Sequence, residues 1–233
     1  MLLPIILNQY YRDVTEFERL GDAAVDIAEA AQEMAESRLE LSATAKAEMK
    51  VMVELTDRII ENAWQGFENR DVEAAYRVLP MEEVADEFLD ALKDNHLKRM
   101  SSGECNVLID SYYTNLLASL KRVAGICANV AVATIVRVTP ELANEKHTYF
   151  VSLRSGKDEA FNASYDAARE EFFGKLAAVK TSGPSGVVSA LPGADGTAAG
   201  AGVTPEQAMA PYDEVEEMLD MRRIAPPDER SAL

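Results

Sequence analysis

The stretch Glu16-Phe17-Glu18-Arg19-Leu20-Gly21-Asp22-Ala23-Ala24-Val25-Asp26-Ile27-Ala28-Glu29 decides the fold class. Apolar residues step by three and four through Phe17, Leu20, Ala24 and Ile27 and on to Ala31 and Met34, which is the period of an amphipathic helix. Glu18, Asp22 and Asp26 stand at i, i+4 and i+8, so three carboxylates line one helical face. A faint second copy runs Ser119-Leu120-Lys121-Arg122-Val123-Ala124-Gly125-Ile126-Cys127-Ala128-Asn129-Val130-Ala131-Val132. It keeps the arginine and one oxygen-bearing side chain and loses the other acidic residues.

Working outward, the same period recurs. Ala45, Met49, Met52, Ile59, Ala63 and Phe67 form one stripe; Met81, Ala85, Phe88 and Leu92 form another. Tyr113, Leu116, Leu120, Val123, Cys127 and Val130 form a further one. Alternating strand patterns are absent. The breaks are short: Arg38 to Ser42, with Ser42 as an N-cap, then Asn69 to Asp71 and Ser101-Ser102-Gly103. Pro80 predicts a break or kink in the third helix. Short links between long helices imply antiparallel neighbours, so the fold class is all-α, an up-down helical bundle of four long helices with short C-terminal ones.

The reading divides the chain into a first helix over 1–37, a three-helix bundle over 43–138 and a C-terminal extension over 140–176. Within the extension, 145–153 and 157–176 read as helices, the second anchored by Phe161, Tyr165, Phe172 and Phe173. Gly, Ala, Ser and Pro over 177–203 predict a disordered linker. Thr204-Pro205-Glu206-Gln207 opens a short acidic helix within 204–233 by the capping-box rule.

The 233 residues carry a net charge of −17, with 48% of them hydrophobic. That charge argues against nucleic acid and anionic membrane surfaces, which demand clustered Lys and Arg. Cys105 and Cys127 form no CxxC pair, and Cys127 reads as a small core residue. The default is a reduced cytoplasmic compartment. Val123 to Val136, the longest apolar run, is too short to cross a bilayer, and no stretch reaches the length that crossing needs.

Two acidic faces could carry chemistry. Glu18, Asp22 and Asp26 could share a cation with a second helix, and Glu82 and Asp86 repeat the i, i+4 spacing, with Asp90 one turn on. Either set is equally readable as a solvated face. His96 reads as a core or helix-end residue. Position 93 is Lys and position 144 is Asn, so neither histidine completes the Glu-x-x-His pair of di-iron bundles. No nucleophile motif occurs, and no cysteine has a nearby ordering histidine in the sequence.

Glu18-Arg19-x-x-Asp22-x-x-x-Asp26 resembles the E-R-x-x-D-x-x-x-N/D signature of PhoU proteins, and Glu82-x-x-x-Asp86 resembles their E-x-x-x-D signature. The blocks Asn95-His96-Leu97-Lys98-Arg99-Met100, Gly103-Glu104-Cys105 and His147-Thr148-Tyr149-Phe150 are similar to the PhoU-like domain at the C-terminus of bacterial sodium–phosphate cotransporters. The likeness spans residues 8 to about 176.

The resemblance implies tandem three-helix bundles that hold multinuclear iron or zinc. It also implies a non-catalytic role in restraining sodium-dependent phosphate uptake and reporting phosphate status. By the same comparison the chain starts at the third helix of a first bundle and is N-terminally truncated. The candidate metal half-sites are Glu18, Asp22, Asp26, Glu82, Asp86 and Asn129. Lys121 and Gly125 replace two signature acids, so metal binding is expected to be weak or lost, with only Arg122 and Asn129 left to face Glu82 and Asp86.

The implied partner is a second copy of the chain, through Phe17 and Leu20, or the membrane domain of a sodium–phosphate transporter at the cytoplasmic face. A metal-dependent helical-bundle enzyme and a structural dimerisation module are the alternatives.

Overall fold

The computed structural model describes residues 2–182; the linker from 183 and the helix expected at Thr204 lie outside them. Helix α1 (Leu2–Glu36) is followed by α2 (Ala43–Asn69), α3 (Val72–Ser101) and α4 (Asp110–Val138), then α5 (Lys146–Ser152) and α6 (Glu159–Ser182). No strand occurs among the described residues.

Local chemistry sets the boundaries. Ser42 Oγ accepts the Ala45 amide N–H at 3.2 Å, as its N-cap position predicts. Arg70 closes α2 in the left-handed region at φ 56°, and Asp71 at once caps α3 by accepting from the Ala74 N–H at 3.0 Å. At Gly66 a Cβ would lie 3.1 Å from the Cβ of Ala75, so glycine there lets α2 and α3 approach closely next to their tight turn.

Helices α2, α3 and α4 pack on one another in alternating directions. Fully buried Met49, Met52, Leu55 and Ile59 meet Leu79, Phe88 and Leu92 of α3 and Leu117 and Ile126 of α4. Helix α1 lies antiparallel along α4, from Asp13 opposite Arg137 to Ser37 beside Tyr112. Its Phe17 ring packs edge-on against Phe67 at 4.9 Å and beside Trp64 at 6.4 Å. On the far side α6 fills the groove between α2 and α3, with Phe172 fully buried and Phe173 edge-on to Phe88 at 5.3 Å. Arg58 clamps Glu171 with two hydrogen bonds at 2.6 and 2.9 Å.

Three sequence expectations change. Helix α3 runs unbroken through buried Pro80. The ring removes one backbone donor and leaves the Tyr76 carbonyl without its helical partner, and packing on both neighbours holds the helix together. Helix α6 continues to Ser182, past residue 176 and into the segment expected to be linker. Finally, Val107–Val138 is long and apolar enough by composition to cross a membrane. The apolar run extends beyond Val123–Val136 because α1, α2 and α3 all pack on α4, so residues around most of its circumference face protein.

Candidate functional site

Glu82 and Asp86 stand one turn apart on α3, and Lys121 of α4 reaches between them. Its Nζ is 2.8 Å from Asp86 Oδ1 and 3.5 Å from Glu82 Oε1. Arg154, from the turn between α5 and α6, donates to Glu82 Oε2 at 3.0 Å and lies 3.3 Å from Glu83. Glu82 is 7% exposed, whereas Asp86 opens to solvent. The hydrogen bond that the Lys121 ammonium donates to Asp86 raises the Lys121 pKa, so the ammonium stays charged. Burial pushes the Glu83 carboxyl up, against the pull of Arg154.

Gly125, one turn beyond Lys121, presents an open position: a Cβ there would lie 3.9 Å from Glu82 Oε1. An aspartate at 125 would therefore enter the same carboxylate cluster. In this chain the cluster has two basic side chains and a glycine in place of further ligands. Among the described residues, no group of three or more His, Cys, Asp or Glu side chains is gathered to hold a metal ion. The residues present do not fit a closed iron or zinc centre, because an ammonium and a guanidinium occupy the edges through which the carboxylates would bind one.

The acidic face of α1 is separate. Glu18 and Asp22 are exposed, and Asp26 is hydrogen-bonded to Arg122 of α4. Arg122 thus faces α1 rather than Glu82 and Asp86, which corrects the sequence expectation. Successive residues on a helix point about 100° apart. Lys121 therefore serves α3 while Arg122 serves α1, and α4 stands between the two acidic faces. Asn129 is exposed on α4.

Sequence reasoning missed two buried charge clusters, one at each end of the bundle. At the first, Arg99 donates to Glu48 at 2.5 Å, and Asn95 Nδ2 donates to the other Glu48 oxygen at 2.8 Å. The Tyr113 hydroxyl donates to Glu48 at 3.3 Å, and His96 stacks on Tyr113 at 4.6 Å. At the second, Arg137 donates to Asp13 at 2.8 Å and to the Phe67 carbonyl at 3.1 Å, under the Tyr10 ring. The available signal was a charge falling on an apolar stripe, as Glu48 does between Ala45 and Met52.

The fold also brings Cys105 Sγ to 3.8 Å from His96 Nδ1, with Asp110 Oδ1 3.2 Å from Nε2, although no such neighbour was legible in the sequence. Burial raises the Cys105 thiol pKa, while burial and the charge of Arg99 lower that of His96. Thiol and imidazole are both neutral, the opposite of the thiolate–imidazolium pair a cysteine nucleophile uses.

Residues 49–134, which span the three-helix core with Glu82, Asp86, Lys121 and Gly125, match the family described as PhoU domain. Over 108 residues the chain is 25% identical to the phosphate-specific transport system accessory protein PhoU homolog 1 of Thermotoga maritima. The match covers 46% of this chain and 46% of that relative, so the chain matches about half the relative's length. No solved structure matches the chain.

Proposed function

We propose that this chain is a regulatory, non-catalytic PhoU-like domain that acts in phosphate transport and phosphate homeostasis at the cytoplasmic face of a membrane. The observation that carries the reading is the PhoU domain match over residues 49–134, on a three-helix core that keeps the Glu82/Asp86 pair. The printed role of the Thermotoga relative, an accessory protein of a phosphate-specific transport system, supports the same process.

Sodium dependence is the finer part of the proposal. Its support is the block Asn95 to Met100 with Cys105, which resembles the cotransporter-linked domains. In the fold this block builds the buried Glu48–Arg99–Asn95 cluster and sets Cys105 against His96. The block therefore has a structural reason to persist together. Lys121 and Arg154 supply the positive charge that metal would bring to Glu82 and Asp86, so the domain works without an iron or zinc cluster.

The partner is a second copy of the chain or a transporter membrane domain. Leu3, Leu7, Tyr11 and Val14 are exposed at i, i+4, i+8 and i+11 along α1. This apolar edge replaces Phe17 and Leu20 as the proposed contact, because Phe17 packs on Phe67 and Leu20 on the core.

The test is radiolabelled phosphate uptake in cells of the source organism lacking the gene, with and without sodium. Uptake that rises on deletion, only in sodium medium, and returns to normal on complementation supports the proposal. Unchanged uptake in both media overturns it.

A further inference from the structure

Three large apolar side chains stand in solvent at the end of the bundle where α3 turns into α4. Leu97 is 55% exposed, and Val107 and Leu108 are each 69% exposed. His96 meets Cys105 at 3.8 Å and Asp110 at 3.2 Å, so the segment that carries Val107 and Leu108 folds back on the last turns of α3 beside Leu97. Asn106 fixes that segment by accepting the Leu108 amide N–H at 3.0 Å, and buried Ile109 anchors it to the core. Single exposed apolar residues are ordinary, whereas a cluster held outward marks a contact surface. Side chains of both signs rim it. Lys93 lies one turn before Leu97 and Lys98 directly after it, and neither ammonium is in an ion pair among the described residues. Asp94 and Glu104 are exposed at the same end.

The position of the chain beyond α6 says what covers the cluster. Helix α6 runs parallel to α3: Tyr165 and Arg169 reach Glu87, and Phe173 packs on Phe88. Ser182 ends α6 nine residues after Phe173, level with Leu97, which stands nine residues after Phe88 on α3. Residues 183–233 therefore leave the bundle at the end that bears the cluster. The exposed edge of α1 lies at the other end of α4, beside Arg137 and about 40 Å away. Within 183–233, Tyr212, Val215, Met218 and Leu219 recur at i, i+3, i+6 and i+7, one face of a helix, between Pro211 and Pro226. Asp213, Glu214, Glu216, Glu217 and Asp220 fall on the opposite face, and Arg222 and Arg223 follow.

We infer that residues 212–223 dock as an amphipathic helix on the cluster of Leu97, Val107 and Leu108 in the same chain, with Val215 and Leu219 as anchors. A helix laid by its i, i+3 and i+7 residues against an apolar face is a recurring mode of recognition. The charges match in sign: the acids of 213–220 suit Lys93 and Lys98, and Arg222 and Arg223 suit Asp94 and Glu104. A Gly- and Ala-rich connection as long as 183–211 reaches about 30 Å on average, enough for a face level with Ser182 and short of the α1 edge. Such a tether presents the segment to the cluster at an effective concentration on the order of millimolar, which a second copy in dilute solution does not match. This contact is independent of the PhoU-like reading, and phosphate uptake does not test it.

The experiment places the photo-cross-linker p-benzoylphenylalanine at position 108 of the full chain. An equal mixture of unlabelled and isotope-labelled protein is irradiated, digested and read by mass spectrometry. Cross-links from position 108 to residues 212–223 are expected within one isotopic form, light to light and heavy to heavy. Val215→Asp together with Leu219→Asp should lower their yield by about tenfold and leave the helical circular-dichroism spectrum unchanged, whereas Leu219→Met should retain them. The same cross-linker at exposed Val25 of α1 should not reach 212–223. Light-to-heavy links overturn the inference in favour of a second copy. Absence of links from position 108 to 212–223 overturns it as well, as does an equal yield in the double aspartate variant.

Discussion

Lys121 Nζ lies 2.8 Å from Asp86 Oδ1, so an ammonium from α4 sits against the acidic face of α3. The two helices are joined there by an ion pair. Restoring acids should reverse this. Wild-type protein is expected to hold little or no iron or zinc. The double variant Lys121→Glu with Gly125→Asp should bind zinc or iron in at least equimolar amount by elemental analysis, and metal should raise its melting temperature. The open approach from Gly125 to Glu82 makes the second substitution sterically acceptable.

The Glu48–Arg99 pair is buried, with Glu48 1% exposed. Removing one partner strands the other charge, so Glu48→Ala is expected to destabilise the fold by about 3–5 kcal/mol in urea denaturation. Arg99 has further buried nitrogens without partners, which sharpens the cost. Replacing Glu48 and Arg99 together by Leu and Met should recover much of the loss, because no lone charge remains.

Asp13 answers to pH in a defined direction. Burial, outweighing the attraction of Arg137, raises its pKa from 3.8 to about 6. A raised folded-state pKa means that the native chain binds this proton more tightly than the unfolded chain. Its contribution is therefore full below pH 3.8 and lost as the pH rises through about 6. Wild-type stability minus that of Asp13→Asn should fall by roughly 3 kcal/mol across that window. Urea denaturation at a series of pH values measures it; a flat difference would show that Arg137 keeps the carboxylate ionised throughout.

The exposed edge of α1 predicts self-association. Light scattering at tens of micromolar is expected to give twice the chain mass, and Leu7→Asp with Tyr11→Asp should halve it while leaving the melting temperature within a few degrees. Leu20→Asp should act differently, lowering stability, because Leu20 packs against the core. A wild-type monomer would leave a transporter domain as the partner for this edge.

The sequence by itself determined that the chain is helical, where its first two long helices meet, and which face of each long helix is apolar. These are local matters: a 3.6-residue period, Ser42 as a cap, and the polar links at 38–42 and 69–71. It also supplied the acidic pairs at i, i+4, because spacing along one helix is written in the sequence. What lies across from each face was not legible, since the partner comes from a distant part of the chain. Only the tertiary structure assigned Lys121 to α3 and Arg122 to α1, buried Glu48 against Arg99 and Asp13 against Arg137, and brought Cys105 to His96. The physical reason is that helix periodicity fixes the direction of a side chain relative to its own axis, whereas packing alone fixes which other helix stands in that direction.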